Sequence, residues 1–367
     1  MTLQMEKRVS VGRPTSEIFR RRRRALSELL QRKKWDAYFF SGMADLYYLT
    51  GFMADGFYGL FTAEGETWLF ASALLAGQVR DSTQGCRLVV GRRLSKALRS
   101  LMGKHGLKRV GFDSEQLMYR LGAILVREGL RPGENPAAEL RAVKAEEELA
   151  CVRRACQLTA DGIEFAKKRL KPGMTEKGLA AELEMFFYRR GADKAAFDLV
   201  VAMGPHTALP HHLPGPSRLV KNQPVILDIG CMVGGYRADL TRTLYYGKIF
   251  PLFRRVYRTV QAAQHEGIAR VKPGMTGGRI DAATRGVISR AGYGRYFIHS
   301  TGHGVGLDIH EAPWIRPKSG SVLSPGMVLT IEPGIYLPGR FGVRIEDTLR
   351  VTDTGSEILT RPSKGKM

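Results

Sequence analysis

The chain has 367 residues, 44% hydrophobic and 25% charged, which leaves room for two folded domains and excludes disordered and fibrous classes. No apolar run approaches the roughly 18 residues of a membrane span, and residues 1–13 lack the apolar centre of a secretory leader. Four scattered cysteines exclude a disulfide framework and fit a reducing, cytoplasmic setting.

The formal net charge of +22 is unevenly spread. Residues 1–34 carry 11 Lys/Arg against 3 Asp/Glu, residues 35–140 carry 12 against 11, and residues 141–367 carry 34 against 21. Five consecutive arginines, 20–24, lie on a first helix that Thr15 or Ser16 can cap and whose apolar stripe is Ile18, Ala25 and Leu29. No recognition motif accompanies them, so they read as a solvated helix face, and no specific nucleic-acid or membrane partner is expected.

Short strands are predicted at 36–41, 60–62, 67–70, 87–90 and 109–112, and helices at 74–80, 94–104 and 115–128. This is an α/β pattern. Gly42 and Gly51 lack the spacing of a dinucleotide-binding loop. The run R-P-G-E-N-P at 131–136 reads as a linker, so the domains are taken as residues 1–136 and 137–367.

A long helix over 145–170 follows, with Glu146, Glu147 and Glu148 in its first turn and basic residues near its end, as the helix dipole favours. K-P-G-M-T at 171–175 recurs at 272–276. The same offset of 101 relates Arg153-Arg154 to Arg254-Arg255 and Gly191 to Gly292, which marks an internal repeat. Each copy reads as helix, turn, helix, glycine-bearing loop and strands, and two such copies can pack about a pseudo-twofold axis. The polar tail, 361–367, reads as frayed.

Both copies place acids on strands. P-V-I-L-D-I-G at 224–230 ends its apolar run in Asp228, and M-V-L-T-I-E-P-G at 327–334 ends its own in Glu332. A second acid follows 11 residues on, at Asp239, and 14 residues on, at Glu346. Carboxylates in such runs are costly unless a cation compensates them. Two like charges about 4 Å apart repel by roughly 4 kcal/mol at an effective dielectric near 20. Convergence of the four acids therefore calls for bound cations, and two divalent ions would neutralise them.

Six of the eight histidines fall in the two matching loops: His206, His211 and His212, then His299, His303 and His310. Glycines 302, 304 and 306 let the backbone approach a crowded site. An oxygen-rich set with one imidazole, His303, suits Mn²⁺, Co²⁺, Fe²⁺ or Zn²⁺, and the absence of cysteine ligands argues against structural zinc. Two ions about 3.5–4 Å apart can share carboxylates and a water whose pKa falls to about 7, yielding a hydroxide bridging two divalent metals. Amide hydrolysis is the natural reaction class.

Taken together, D-I-G, D-L-T-R-T, H-G-V-G-L-D-I-H-E-A-P, I-E-P-G-I-Y and V-R-I-E-D-T, in this order, resemble the pita-bread metallopeptidases of the prolidase and aminopeptidase P branch. Y-L-T-G-F at 48–52 resembles the creatinase-type N-domain. The resemblance implies an α/β N-terminal domain followed by an α+β pita-bread domain built from the repeat. It implies two metal ions, with Mn²⁺ or Co²⁺ ahead of Zn²⁺ or Fe²⁺. Asp228 and Asp239 would hold one ion, His303 and Glu332 the other, with Asp239 and Glu346 bridging. Glu332 would also shuttle a proton. His211 and His310 would bind substrate and stabilise the tetrahedral intermediate. His299, Tyr336 and Arg344 match positions near the site; Arg344 would orient Asp228 or Asp239, bind substrate, or form a structural ion pair. The doubled His211-His212 leaves the register open by one, and Gly234 stands where the family often has an acid.

The resemblance implies cleavage of Xaa-Pro bonds, in dipeptides or at peptide N-termini, by a homodimer. A bond to proline nitrogen has no N–H for ordinary peptidases to read. The rivals are a methionine aminopeptidase-like exopeptidase, creatinase-like chemistry without the metals, and a non-catalytic peptide- or nucleic-acid-binding protein on the same fold. The extra N-terminal domain, the 303–310 run and the retained ligand set count against them.

Overall fold

The computed structural model describes residues 16–91, 93–115 and 117–361. Thr15 and the tail beyond Arg361 lie outside them. The chain divides into two compact units between residues 141 and 142.

The first unit runs α1 (Ser16–Arg32), β1 (Ala37–Phe40), α2 (Met43–Thr50), β2 (Phe57–Thr62), β3 (Thr67–Ala71), α3 (Ala73–Ser82), β4 (Arg87–Val90), α4 (Leu94–His105), β5 (Val110–Asp113), α5 (Tyr119–Arg127), β6 (Arg131–Gly133) and α6 (Pro136–Ala142). Its six strands form one mixed sheet in the order β4-β3-β2-β1-β5-β6. Strand β1 is central and buried on both faces, which is why A-Y-F-F is continuously apolar. Phe39, Leu60, Trp68, Phe70, Leu98 and Val110 form part of the core.

Three expectations change here. The expected linker is instead β6 followed by α6, and β6 pairs in parallel with β5. Helix α2 was not expected; its stop signal is Gly51, whose φ of +80° forms a left-handed C-cap donating to Tyr47 O. The arginine run is not all solvated face. Arg22 and Arg23 are buried, and donate at 3.0 Å to Tyr48 O and Leu49 O, orphan carbonyls of the last turn of α2. Arg20, Arg21 and Arg24 are exposed.

The second unit opens with α7 (Glu146–Arg169) and α8 (Glu176–Arg189), then β7 (Lys194–Ala195), β8 (Val200–Met203), β9 (Gln223–Ile229), β10 (Cys231–Val233), β11 (Tyr236–Arg237) and β12 (Leu240–Tyr246). The second copy runs α9 (Pro251–Arg270), α10 (Gly277–Arg290), β13 (Gly302–Gly304), β14 (Glu311–Ile315), β15 (Val328–Ile331), β16 (Gly334–Leu337), β17 (Phe341–Arg344), β18 (Asp347–Val351) and β19 (Ser356–Ile358). Acids open α7 and Lys167, Lys168 and Arg169 close it.

The repeat is structural. In the first copy β9 lies between β8 and β12; in the second, β15 lies between β13 and β18, all antiparallel. The K-P-G-M-T turns are pinned alike. Gly173 N–H donates to Leu219 O and Gly274 N–H to Leu323 O, both at 2.9 Å, and both glycines have φ near +80°. The copies are joined through side chains. Thr241 Oγ1 donates to Glu346 Oε2 and Thr348 Oγ1 to the carbonyl of Asp239, both at 2.7 Å. Gly234 and Gly235, both at positive φ, form the tight β10–β11 turn, a conformation that suits glycine there. All four cysteines are free, and among the described residues no helix is long and apolar enough to cross a membrane.

Candidate metal centre

Each acid stands at a strand end because the strand delivers it there. Asp228 is the penultimate residue of β9, Asp239 precedes β12, Glu332 follows β15, and Glu346 lies between β17 and β18. His303 is the middle residue of β13, where Cβ atoms on Gly302 and Gly304 would meet Thr330 O and Ala312 O at 2.0 and 2.1 Å. The glycines thus allow β13 to pack tightly between β14 and β15 with the imidazole between them in sequence.

All five residues line one cavity of about 550 Å³. His303 Nε2 lies 3.3 Å from Glu332 Oε1 and 3.7 Å from Asp239 Oδ2. One ligand atom from each of Asp239, His303 and Glu346 falls within 4.8 Å of the other two. His303 Nδ1 is 3.1 Å from Gly304 O; a carbonyl accepts, so Nδ1 carries a proton and Nε2 is the nitrogen presented to the acids. A larger cavity, about 1100 Å³, lies in the first unit beside Tyr58, Phe70 and Arg93, but among the described residues no carboxylate or histidine lines it.

The electrostatics are strained in the way an ion would relieve. Burial, then Glu346 and Asp228, push the Asp239 carboxyl well above the carboxylate range. Burial, then Glu332 and Asp228, do the same to Glu346. Burial also works to raise Glu332, but the hydrogen bond and charge of His303, with His299 and Arg344, outweigh it and hold this group down at about 2. Burial works against the His303 imidazolium, yet Glu332 carries its pKa above the ordinary value. Asp228 Oδ1, Asp239 Oδ1 and Glu346 Oε1 are buried with no hydrogen-bond partner. Three orphaned carboxylate oxygens in a cluster with a histidine nitrogen suit divalent cations, since a buried acceptor without a donor costs about 1–3 kcal/mol or more.

Arg344 organises one wall. Its guanidinium reaches Asp228 Oδ2 at 2.6 Å, the Tyr336 hydroxyl at 2.7 Å, Thr241 Oγ1 at 3.0 Å and Pro210 O at 3.3 Å. Of the roles left open for it, the structure shows the pairing with Asp228. His299 Nε2 stands 2.9 Å from the Tyr336 hydroxyl, which burial pushes up to about 12. Burial lowers His299 and, with His303 nearby, lowers His310. His211 and His310 are exposed on the cavity wall, the latter with its ring 4.3 Å from that of His303. The doubled histidine divides its work. His212 Nε2 binds Glu176 at 2.8 Å, whereas His211 makes no hydrogen bond among the described residues. Thr241 went unassigned by sequence reasoning, although it lies in the D-L-T-R-T motif; it supports both Glu346 and Arg344.

Residues 150–353 match the metallopeptidase family M24, and residues 22–143 match the creatinase/prolidase N-terminal domain. The chain therefore belongs to metallopeptidase family M24, in its prolidase and aminopeptidase P branch, and its second unit has the pita-bread fold. An Xaa-Pro dipeptidase of Pyrococcus horikoshii is 31% identical over 354 residues, 95% of this chain and 99% of the relative. An uncharacterised peptidase of Bacillus subtilis is 35% identical over 323 residues, 86% of this chain and 91% of that one. Among solved structures, an Xaa-Pro dipeptidase from Bacillus anthracis superposes with a TM-score of 0.88 at 31% identity, covering 96% of this chain and 99% of that one. An X-Pro aminopeptidase from Thermotoga maritima gives 0.84 at 29% identity, covering 92% and 97%.

Proposed function

We propose that this chain hydrolyses the bond between a first residue and proline, with two divalent ions held by Asp228, Asp239, His303, Glu332 and Glu346. The observation that carries this reading is the set of three buried, unpartnered oxygens on Asp228, Asp239 and Glu346. Kinship with an Xaa-Pro dipeptidase along almost the whole chain supports the substrate class. The creatinase/prolidase N-terminal match counts against a methionine aminopeptidase.

Bound ions would supply Lewis acidity toward a water and the scissile carbonyl. The chain's residues do the rest. Glu332, held ionised at neutral pH, accepts a proton from the attacking water and passes it to the prolyl nitrogen as that amine leaves. His211 and His310, on the cavity wall, donate hydrogen bonds to the substrate and to the oxyanion as charge develops there. Arg344 fixes Asp228, and Tyr336 connects Arg344 to His299, so this wall of the cavity is cross-linked. The donor set, mainly oxygen with one imidazole, suits Mn²⁺, Co²⁺, Fe²⁺ or Zn²⁺, and the family resemblance puts Mn²⁺ or Co²⁺ first.

The test is turnover of Gly-Pro and Met-Pro against an Xaa-Pro-Yaa tripeptide, with Mn²⁺, Co²⁺ and Zn²⁺ supplied in turn. Dipeptide cleavage that a chelator abolishes and one of these ions restores is expected. Metal-loaded protein inert toward both substrate lengths would overturn the reading.

A further inference from the structure

The first-copy loop contains a second constellation of the same residue types. Glu176, the first residue of α8, is completely buried. Its Oε1 accepts from Met203 N–H at 2.9 Å and His206 Nδ1 at 2.8 Å. Its Oε2 accepts from His212 Nε2 at 2.8 Å and Gly215 N–H at 3.1 Å. Glutamate and two histidines have the donor types of a zinc site. Here, however, each carboxylate oxygen already takes two N–H donors, which fills its lone pairs. The cluster is a hydrogen-bonded clamp.

We propose that Glu176 is a positioning residue that holds the 203–215 segment so that His211 is presented to the cavity. This rests on the substrate role given to His211 above. The two neighbours of His211 are tied from opposite sides. Pro210 O accepts from Arg344 Nη1 at 3.3 Å, and His212 is bound by Glu176 at 2.8 Å. Upstream, Thr207 Oγ1 accepts from Gly342 N–H at 2.9 Å. The backbone adds to the clamp, since Glu176 N–H donates to Ser217 O at 3.1 Å and Lys177 N–H to Gly215 O at 3.0 Å. Of the histidines in this stretch, only His211 lines the cavity without a hydrogen bond among the described residues.

The second copy does the same work with other residues. Asp281, buried on α10, accepts from Thr301 Oγ1 at 2.8 Å and from Arg285 Nη2 at 2.9 Å. Arg285 in turn donates to Phe297 O at 3.0 Å and His299 O at 2.9 Å. Each copy thus commits one buried acid, on its second helix, to the loop that carries site histidines. The parallel is in task, not in position or residue identity, because the offset of 101 matches Glu176 with Gly277 and Asp281 with Ala180.

Glu176→Gln keeps the side-chain shape but turns one accepting oxygen into an N–H group facing two donors. The expected results are faster amide hydrogen exchange across residues 203–215, an at least tenfold fall in kcat, and unchanged bound-metal stoichiometry. The double variant Glu176→Gln/His211→Ala is expected to be no slower than His211→Ala alone, because both changes remove the same contribution. Unaltered exchange in this segment, or effects of the two substitutions that multiply, overturns the proposal. A wild-type protein inert toward Xaa-Pro substrates would sink the functional reading instead, while the exchange measurement still decides the clamp. If Glu176→Gln does not fold, His212→Ala breaks the clamp from the loop side and is read in the same way.

Discussion

The Arg344 guanidinium lies 2.6 Å from Oδ2 of Asp228, joining the penultimate residue of β9 to the last residue of β17, 116 positions away. Both groups are largely buried, with side-chain exposures of 4% and 16%. Removing one partner strands the other. Arg344→Met is expected to destabilise the metal-free protein by about 3–5 kcal/mol, the usual cost of breaking a buried pair. Urea unfolding under chelator measures it, and a change below about 1 kcal/mol would show that Asp228 does not depend on Arg344.

Asp239→Asn separates metal binding from folding. Asp239 stands among Glu346, Asp228 and Glu332, all of which repel its charge. The variant is expected to bind less metal and lose at least 100-fold in turnover. In chelator it is expected to be as stable as the parent or more so at pH 8. Metal content by mass spectrometry and thermal unfolding check the two halves; a variant that keeps its metal and activity contradicts the assignment of Asp239.

The metal-free protein has a pH dependence of definite sign. Asp239 and Glu346 are raised in the folded chain above the unfolded values of about 3.9 and 4.3. The folded state therefore retains protons that the unfolded state releases, so stability is lost as pH rises above about 4 toward the folded values. Glu332, held at about 2, works oppositely and costs stability only as pH falls from about 4 toward 2. Chelated protein should lose melting temperature as pH rises from about 4. Metal should abolish that slope and release protons on binding, which calorimetry in two buffers detects.

Gly304→Ala tests the close packing of β13. An added Cβ would stand 2.1 Å from Ala312 O, a backbone atom that cannot swing aside. Displacement of the strand that carries His303 is expected to weaken metal affinity at least tenfold and to cost about 1–3 kcal/mol, as overpacking does. Metal titration and denaturant unfolding read the two effects; a variant with unchanged affinity would mean that β13 does not set the place of His303.

The arginine run yields a contrast within one helix. Arg22→Ala removes a buried donor to Tyr48 O and is expected to cost about 1–3 kcal/mol. Arg20→Ala removes an exposed pair with Glu17 and should change stability by less than about 0.5 kcal/mol. Denaturant unfolding of each variant measures the difference. Equal losses would mean that the buried guanidinium contributes nothing beyond helix propensity.

Much of the fold was legible because its causes are local. Period-two and continuous apolar runs marked β1, β3, β4, β5, β9 and β15, and the acids of α7 marked its start. The recurrence of K-P-G-M-T revealed the duplication, and the matched strand orders follow from it. Helix α2 was missed because its eight residues are apolar nearly all round, which hides helical periodicity; the signal present was Gly51 at its end. Strand β6 was missed because R-P-G is turn-like by composition and becomes a strand only through its partner β5.

The sequence by itself determined that four acids and a histidine would be set on strands, or just beyond their ends, in two related halves. A carboxylate ending an apolar run carries a desolvation cost that any reader of the chain can see. Only the tertiary structure decided who holds whom: Asp228 by Arg344, Glu346 by Thr241, and His212 by Glu176, leaving His211 free for the cavity. These partners lie 116, 105 and 36 residues apart. Hydrogen bonding is satisfied by direction and distance to within tenths of an ångström, and spacing along the chain carries no record of either.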